Sequence, residues 1–181
     1  QGIKDFLSKA FGSHMNDVAE KIAELPDPTS GVNVGPMQFS PDGNLLVSIG
    51  AQGKFDVWDW RSRRVLRRLD PQANPFDAQE PFAFSPDGRL LAACTMARTP
   101  PRTVRVWNTS TWEVAQDIID STGNPCNAVA FSADSRILLR VHQYAANDLD
   151  DLIVYSTETW QKLWGLHDKR IEAMTLAVSP K

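Results

Sequence analysis

The residue types that most often carry out chemistry in proteins are few and scattered in this sequence. Three histidines, His14, His142 and His167, have neither a cysteine neighbour nor a second histidine four positions away, so none of them predicts a zinc site. The acidic run at residues 148–151 resembles a calcium loop only loosely, because the required glycine and closing glutamate are missing. The sequence contains no Gly-rich phosphate loop and no G-x-S-x-G nucleophile turn. We therefore expect no catalytic residue, no metal site and no cofactor.

The two cysteines do not form a metal-binding pair. Cys94 and Cys126 lie in apolar or turn contexts and are too far apart in sequence for a C-x-x-C motif. We expect two free thiols in a reducing compartment, which indicates a cytoplasmic protein rather than a disulfide-framed secreted one.

Composition narrows the class of partner. The 181 residues are 42% apolar and 23% charged, which is typical of a globular protein with a sizeable core. There are 19 basic and 22 acidic residues, so the net charge of −3 offers no basic surplus for nucleic acid. The apolar runs are much shorter than the roughly 20 residues of a membrane helix. The expected partner is a protein or peptide, not nucleic acid or a membrane.

The body of the chain repeats. The motif Phe-Ser-Pro-Asp-Gly starts at Phe39 and again at Phe84, and the related Phe-Ser-Ala-Asp-Ser starts at Phe131. These starts are 45 and 47 residues apart, and a degenerate copy of the motif, Val-Ser-Pro, follows at Val178. A second landmark, an aromatic residue after valine, keeps nearly the same period at Trp58, Trp107 and Tyr155. Two landmarks with one period indicate a repeat architecture.

Each repeat is predicted to form four short antiparallel strands. Residues 41–43 (Pro-Asp-Gly) are typical of a tight turn, because proline presets φ and the next two residues tolerate the dihedrals that follow. Residues 90–94 are apolar throughout, which predicts a strand buried on both faces, whereas residues 103–107 alternate as a half-buried strand does. Residues 112–119 predict the outermost strand, and Trp112 and Trp160 are expected to pack between repeats. The predicted core consists of Phe39, Leu46, Val57, Trp58, Phe84, Leu91, Val106, Trp107, Phe131, Leu138, Val154 and Tyr155.

The order FSPDG, then LL, then VW followed by Asp or Asn, resembles the WD-repeat family of β-propellers. The resemblance covers residues 35–181 and implies an all-β fold built of four-stranded antiparallel blades, about three and a half of them in this chain. It also implies a non-catalytic scaffold that binds peptides or protein surfaces. The implied blades are residues 35–78, 79–124 and 125–168, with the start of a further blade at 169–181.

The sequence departs from the family pattern at one buried position. Many WD repeats place an aspartate before the third strand in a hydrogen-bonded network, and here that position holds Gln52, Pro101 and about Leu149. A network with a missing member adds little rigidity, so we expect apolar packing to hold the blades. In this respect the chain is similar to simpler WD-like propellers of bacterial proteins.

Residues 1–34 lie outside the repeats. Residues 12–15 (Gly-Ser-His-Met) look like the scar of a removed expression tag, so residues 1–15 are interpreted as a tag or fusion segment, with a short amphipathic helix at residues 1–11. Residues 16–34 are interpreted as a strand or helix followed by a linker. Three and a half blades do not close a ring, so we expect either a fragment of a longer propeller or a homo-oligomer that completes the ring.

The expected binding surface lies on the loops between second and third strands and between successive blades, which share one face of the ring. Long loops on a rigid scaffold often carry function, and aromatic and arginine side chains often dominate interfaces. The predicted partner-binding residues are Phe76, Arg98, Arg102, His142 and Tyr144.

Three functional hypotheses follow from the sequence. The first is a non-catalytic protein-interaction scaffold. The second is a propeller enzyme or small-ligand-binding propeller that uses the central channel, for which we expect at least two ionisable groups with perturbed pKa values in one cleft. The third is an engineered fragment or fusion without activity of its own.

Overall fold

The computed structural model describes residues 36–49, 54–70, 82–95, 102–120, 126–142 and 152–166. The predicted helix at residues 1–11, the strand or helix within residues 16–34 and the further blade at 169–181 lie outside these ranges.

Three antiparallel sheets, each of four strands in sequence order, make up the described part of the chain, as the repeats predicted. The first sheet contains β1 (Met37–Phe39), β2 (Leu45–Ile49), β3 (Phe55–Asp59) and β4 (Arg64–Leu69). The second contains β5 (Phe82–Phe84), β6 (Leu90–Thr95), β7 (Arg102–Asn108) and β8 (Val114–Asp120). The third contains β9 (Cys126–Phe131), β10 (Ile137–His142), β11 (Leu152–Ser156) and β12 (Lys162–Leu166). Within the described ranges no helix is long and apolar enough to cross a membrane.

The repeated turn between the first two strands of each sheet is fixed by its first serine and by a residue with positive φ, which is glycine in the first two sheets. The backbone N–H of Gly43 donates to the carbonyl of Ser40 (2.8 Å), and φ of Gly43 is +68°, a conformation that glycine adopts without a steric penalty. The Ser40 hydroxyl accepts a hydrogen bond from the N–H of Leu45 at 2.9 Å and donates to the Asp42 carboxylate at 2.5 Å. These contacts pair the start of β2 with the end of β1.

The hairpin before each outer strand is also alike in the three sheets. A residue one or two positions before the outer strand has positive φ in each sheet, at Arg63, Trp112 and Trp160. The register then shifts by one residue, between Val57 and Trp58 in the first sheet and at equivalent positions in the other two. Such a bulge increases the local twist, so the outer strand bends relative to its partner.

Two apolar clusters hold the sheets together, one at each junction. Between the first and second sheets, Phe55 contacts Trp107 edge-on, with ring centroids 5.9 Å apart. Trp112 packs against this cluster, and Trp160 packs against the cluster between the second and third sheets, which confirms the predicted role of both tryptophans. Eleven of the twelve predicted core residues are buried.

The prediction for Phe39 was wrong, because this side chain is only half-buried. Phe84 and Phe131, its counterparts, pack in the junction between their own sheet and the preceding one. The sheet of Phe39 is the first of the three described, so the described structure contains no preceding sheet for Phe39 to pack against. The Phe39 ring instead contacts Trp60 of its own sheet edge-on, with ring centroids 5.8 Å apart.

Candidate functional site

The strands place the backbone of two of the five predicted contact residues at one end of the sheets. We call the end where β2, β6 and β10 finish the loop end, and the opposite end, with the serine-containing turns, the turn end. Arg102 begins β7 and His142 ends β10, so both backbone positions lie at the loop end. Their side chains lie outside the described part of the structure, as do Phe76, Arg98 and Tyr144 entirely. The predicted contact set therefore stays a prediction.

A disulfide joins the second and third sheets at the loop end. Cys94, near the end of β6, is bonded to Cys126 at the start of β9, with Cα atoms 5.5 Å apart. The prediction of two free thiols was therefore wrong. The two residues are 32 positions apart in sequence, and adjacent sheets bring them together. Cys126 pairs with His142 across β9 and β10, so the bond fixes the backbone from which a predicted contact residue projects.

Arg105 links the first two sheets close to the loop end. Its guanidinium forms two hydrogen bonds of 2.7 Å to the Asp117 carboxylate and a third, of 3.1 Å, to the backbone carbonyl of Asp70. The bond to Asp117 raises the pKa of Arg105 despite its partial burial. Since Asp70 directly follows β4, this arginine ties the end of the first sheet to the middle of the second. Together with the disulfide, it makes the base of the loop end rigid.

The turn end carries a groove of about 450 Å³ between the first two sheets. Two carboxylates, Asp42 and Asp87, line it, together with Phe84 and the start of the β7–β8 turn. Hydrogen bonds from Ser40 and then Asn44 lower the pKa of Asp42. Partial burial raises the pKa of Asp87, but hydrogen bonds from Ser85 and Arg89 outweigh it, and the pKa is again below its ordinary value.

Two perturbed carboxylates in one cleft meet the criterion set for the enzyme hypothesis, yet their lowered pKa values do not suit a general acid. A general acid needs a raised pKa near the working pH, whereas these groups are held in the ionised form. The hydrogen bonds belong to the repeated turn, since Ser132 donates to Asp134 in the third sheet in the same way, at 2.6 Å. The described residues contain no group of three or more histidine, cysteine or acidic side chains that could hold a metal ion.

Comparison with known proteins identifies the fold. No family model matches the chain. Two solved structures each cover 80% of this chain: the RRP9 WD40 repeats (TM-score 0.62, 14% identity) and a chain of the mitotic checkpoint complex (TM-score 0.61, 20% identity). The fold is that of WD40 repeats. Apoptotic protease-activating factor 1 of Mus musculus is 31% identical over 133 residues, which are 70% of this chain. The chain spans about a tenth of that protein's length and 41% and 43% of the two solved chains.

One contact of the buried hydrogen-bonded network is present in the first blade, although the aspartate of that network is missing from the sequence. In the first blade the indole N–H of Trp58 donates to the hydroxyl of Ser48 at 2.9 Å. The position of Ser48 is taken by Ala93 in the second blade and by the fully buried Arg140 in the third. Since only the first blade offers this serine, the three blades depend on apolar contacts to different degrees.

Sequence reasoning missed two ion pairs that connect the third and fourth strands of these blades. Asp56, fully buried, accepts a 2.7 Å hydrogen bond from Arg68, and Arg105 bonds Asp117 at the equivalent register with the charges exchanged. Both pairs are separated by 12 residues in sequence. Asp56 and Arg105 are 49 positions apart, and each has an opposite charge 12 positions later. This repeated spacing of opposite charges could have revealed both ion pairs from the sequence.

Proposed function

We propose that the chain is a non-catalytic protein-interaction scaffold that binds a peptide or protein surface through the loops of the loop end. The observation that carries the proposal is the rigid base of these loops, where a disulfide and the Arg105 contacts join three consecutive blades at one end. A rigid base lowers the entropy lost when loops bind a partner.

The relatives support this proposal at a general level. One similar chain was solved as part of the mitotic checkpoint complex, so that chain works within a protein assembly. The carboxylates of the turn end are held ionised by the local turn, which argues for structure rather than catalysis there. We further propose that the chain is a WD-like propeller of the simpler, bacterial type, since Gln52 and Pro101 replace the aspartate of the hydrogen-bonded network.

The partner we propose is an extended peptide with acidic or aromatic side chains. Arginine and aromatic residues at the predicted positions, Phe76, Arg98, Arg102, His142 and Tyr144, would provide guanidinium groups for carboxylates and rings for stacking.

The test compares the two ends of the blades. Partners are captured by pull-down with the wild-type chain, purified, and their affinities measured for an Arg98→Ala/Arg102→Ala variant. We expect weaker binding and a nearly unchanged melting temperature. The matched control is Asn44→Ala/Arg89→Ala, which alters exposed residues of the turn end. Equal losses in both variants, or no loss in the first, would place the site elsewhere.

A further inference from the structure

The outer strand of the first blade differs in charge from its two counterparts. Residues 59–69 contain five arginines and one acidic residue, Asp59. β8 contains two aspartates and no basic residue, and β12 contains a single lysine. We call residues 61–68 the arginine strip. Its charge is not a property of the repeat and belongs to this blade.

The arginine strip is open to solvent and incompletely neutralised. Every residue from 61 to 68 is exposed, including Val65 (39%) and Leu66 (47%). Arg68 is paired with buried Asp56, and the Arg61 guanidinium lies 4.5 Å from the ring centroid of Trp60. Arg64 and Arg67 have no ion-pair partner among the residues that the structure describes, so two full positive charges flank two exposed apolar side chains.

The strip also offers unpaired backbone groups. The strand order places β4 at the edge of its sheet, with β3 on one side and no strand on the other within the described part of the chain. An unpaired edge is a template for an additional strand. The six residues of β4 extend over about 20 Å, which suits a peptide segment of similar length.

We propose that β4 docks an extended peptide segment in which acidic and apolar side chains alternate, added as a fifth strand of the first blade. Carboxylates of the peptide would face Arg64 and Arg67, and its apolar side chains would cover Val65 and Leu66. This surface is separate from the loop end, so the proposal does not depend on the contact residues proposed there.

A peptide fits this surface better than a nucleic acid. Two apolar side chains lie between the arginines, and the open backbone edge supplies amide donors and carbonyl acceptors at strand spacing. Phosphate groups can accept hydrogen bonds from the amides but cannot donate to the carbonyls, whereas a peptide strand does both. The net charge of the chain, −3, also opposes wider contact with phosphates.

Arginines can instead protect an edge strand from aggregation, as charged residues often do. If charge protected the outer strands of this fold in general, the outer strand of the third blade would also be charged, but it is mostly apolar. β12 exposes Leu163, Trp164 and Leu166 at the same position in its blade.

The experiment uses a fluorescent peptide of about eight alternating glutamate and valine residues, which matches the reach of β4. Its affinity for the whole chain is measured by anisotropy. We expect Arg64→Glu/Arg67→Glu to weaken binding about tenfold or more, because each reversal turns an attraction into a repulsion. The control Arg89→Glu/Arg136→Glu, an equal charge change at exposed turn-end residues, is expected to change affinity less than about twofold. Circular dichroism melts verify that both variants fold.

Three comparisons decide between modes of binding. The same peptide with alternate backbone nitrogens methylated should bind much more weakly, because it lacks the amide donors that a fifth strand needs. Equal binding of the methylated peptide, equal losses in the two variants, or no binding up to about 1 mM would overturn the proposal. Tighter binding of a single-stranded oligothymidylate or of phosphatidylserine vesicles, lost in Arg64→Glu/Arg67→Glu, would show that the strip recognises phosphate groups and overturn the peptide assignment.

Discussion

Ser135 provides a sharp test of how the turns couple adjacent blades. It occupies the position of Gly43 and Gly88 in the other two turns, with φ of +61° and 4% of its surface exposed. Its hydroxyl accepts a hydrogen bond from the backbone N–H of Asp87, in the turn of the neighbouring blade, at 3.0 Å. A residue with a side chain is therefore kept in a conformation that favours glycine, and the side chain bridges two blades.

Two opposing effects determine the outcome of substitution. A left-handed conformation costs a residue with a side chain about 1–2 kcal/mol, and Ser135→Gly removes this cost. The greater flexibility of glycine in the unfolded chain offsets about 0.5–1 kcal/mol of that gain. Loss of the hydrogen bond costs about 1 kcal/mol, and up to about 3 if the N–H of Asp87 finds no other partner. Ser135→Ala keeps the strain and loses the bond, so we expect it to be about 1–2 kcal/mol less stable. Ser135→Gly should lie within about 1 kcal/mol of wild type.

Urea unfolding followed by tryptophan fluorescence measures these differences, with the m-value checked for constancy. Gly43→Ala is the control for strain alone, because an added Cβ there meets no atom within 4 Å, and we expect it to lose about 1 kcal/mol. If Ser135→Ala is as stable as Ser135→Gly, the left-handed conformation carries no net cost, because both variants lack the hydroxyl. If Ser135→Ala is as stable as wild type, the bridge contributes nothing. If Ser135→Gly exceeds wild type by well over 1 kcal/mol, the hydrogen bond is negligible.

Two further predictions concern the core and the turns. Trp107→Ala should lower the free energy of unfolding by about 3–5 kcal/mol, because the indole is 2% exposed and fills the junction between the first two blades. Phe39→Ala should cost clearly less, because that side chain is only half-buried. Urea unfolding of both variants checks this, and equal losses would contradict the packing. Because the pKa of Asp87 is held below its ordinary 3.8, its contribution to stability is complete above that pH and is lost as the pH falls through the folded value. Asp87→Asn should therefore flatten the fall in urea midpoint below about pH 4, and an unchanged slope would contradict this.

The fold could be predicted from sequence because its determinants are local. The Ser-Pro-Asp-Gly turn and the alternation around Val104 and Val106 depend on neighbours a few residues away, and both were found in the structure as predicted. The Cys94–Cys126 bond and the Arg105 contact with Asp70 depend on which blades are adjacent and at what register. Spacings of 32 and 35 residues carry no such information in a single sequence.

The arginine strip was visible as composition, but its meaning needed the strand order. In the sequence the five arginines were part of a net negative chain and did not stand out as a surface. The structure places Arg64 and Arg67 on a strand at the edge of the described part of its sheet, and it pairs Arg68 with the buried Asp56.

The disulfide between the second and third blades has a mechanical consequence. A force that pulls the chain apart from sites before Cys94 and after Cys126 is transmitted through the sulfur bridge, and β7 and β8, which lie between the two cysteines, bear no load. The segment between the two cysteines, which are 32 positions apart in sequence, remains hidden from extension, and this shortens the stretched chain by about 110 Å until the bridge is reduced. A propeller under tension would thus yield first at blades without such a bridge, and the redox state of one cysteine pair would set how far it can lengthen.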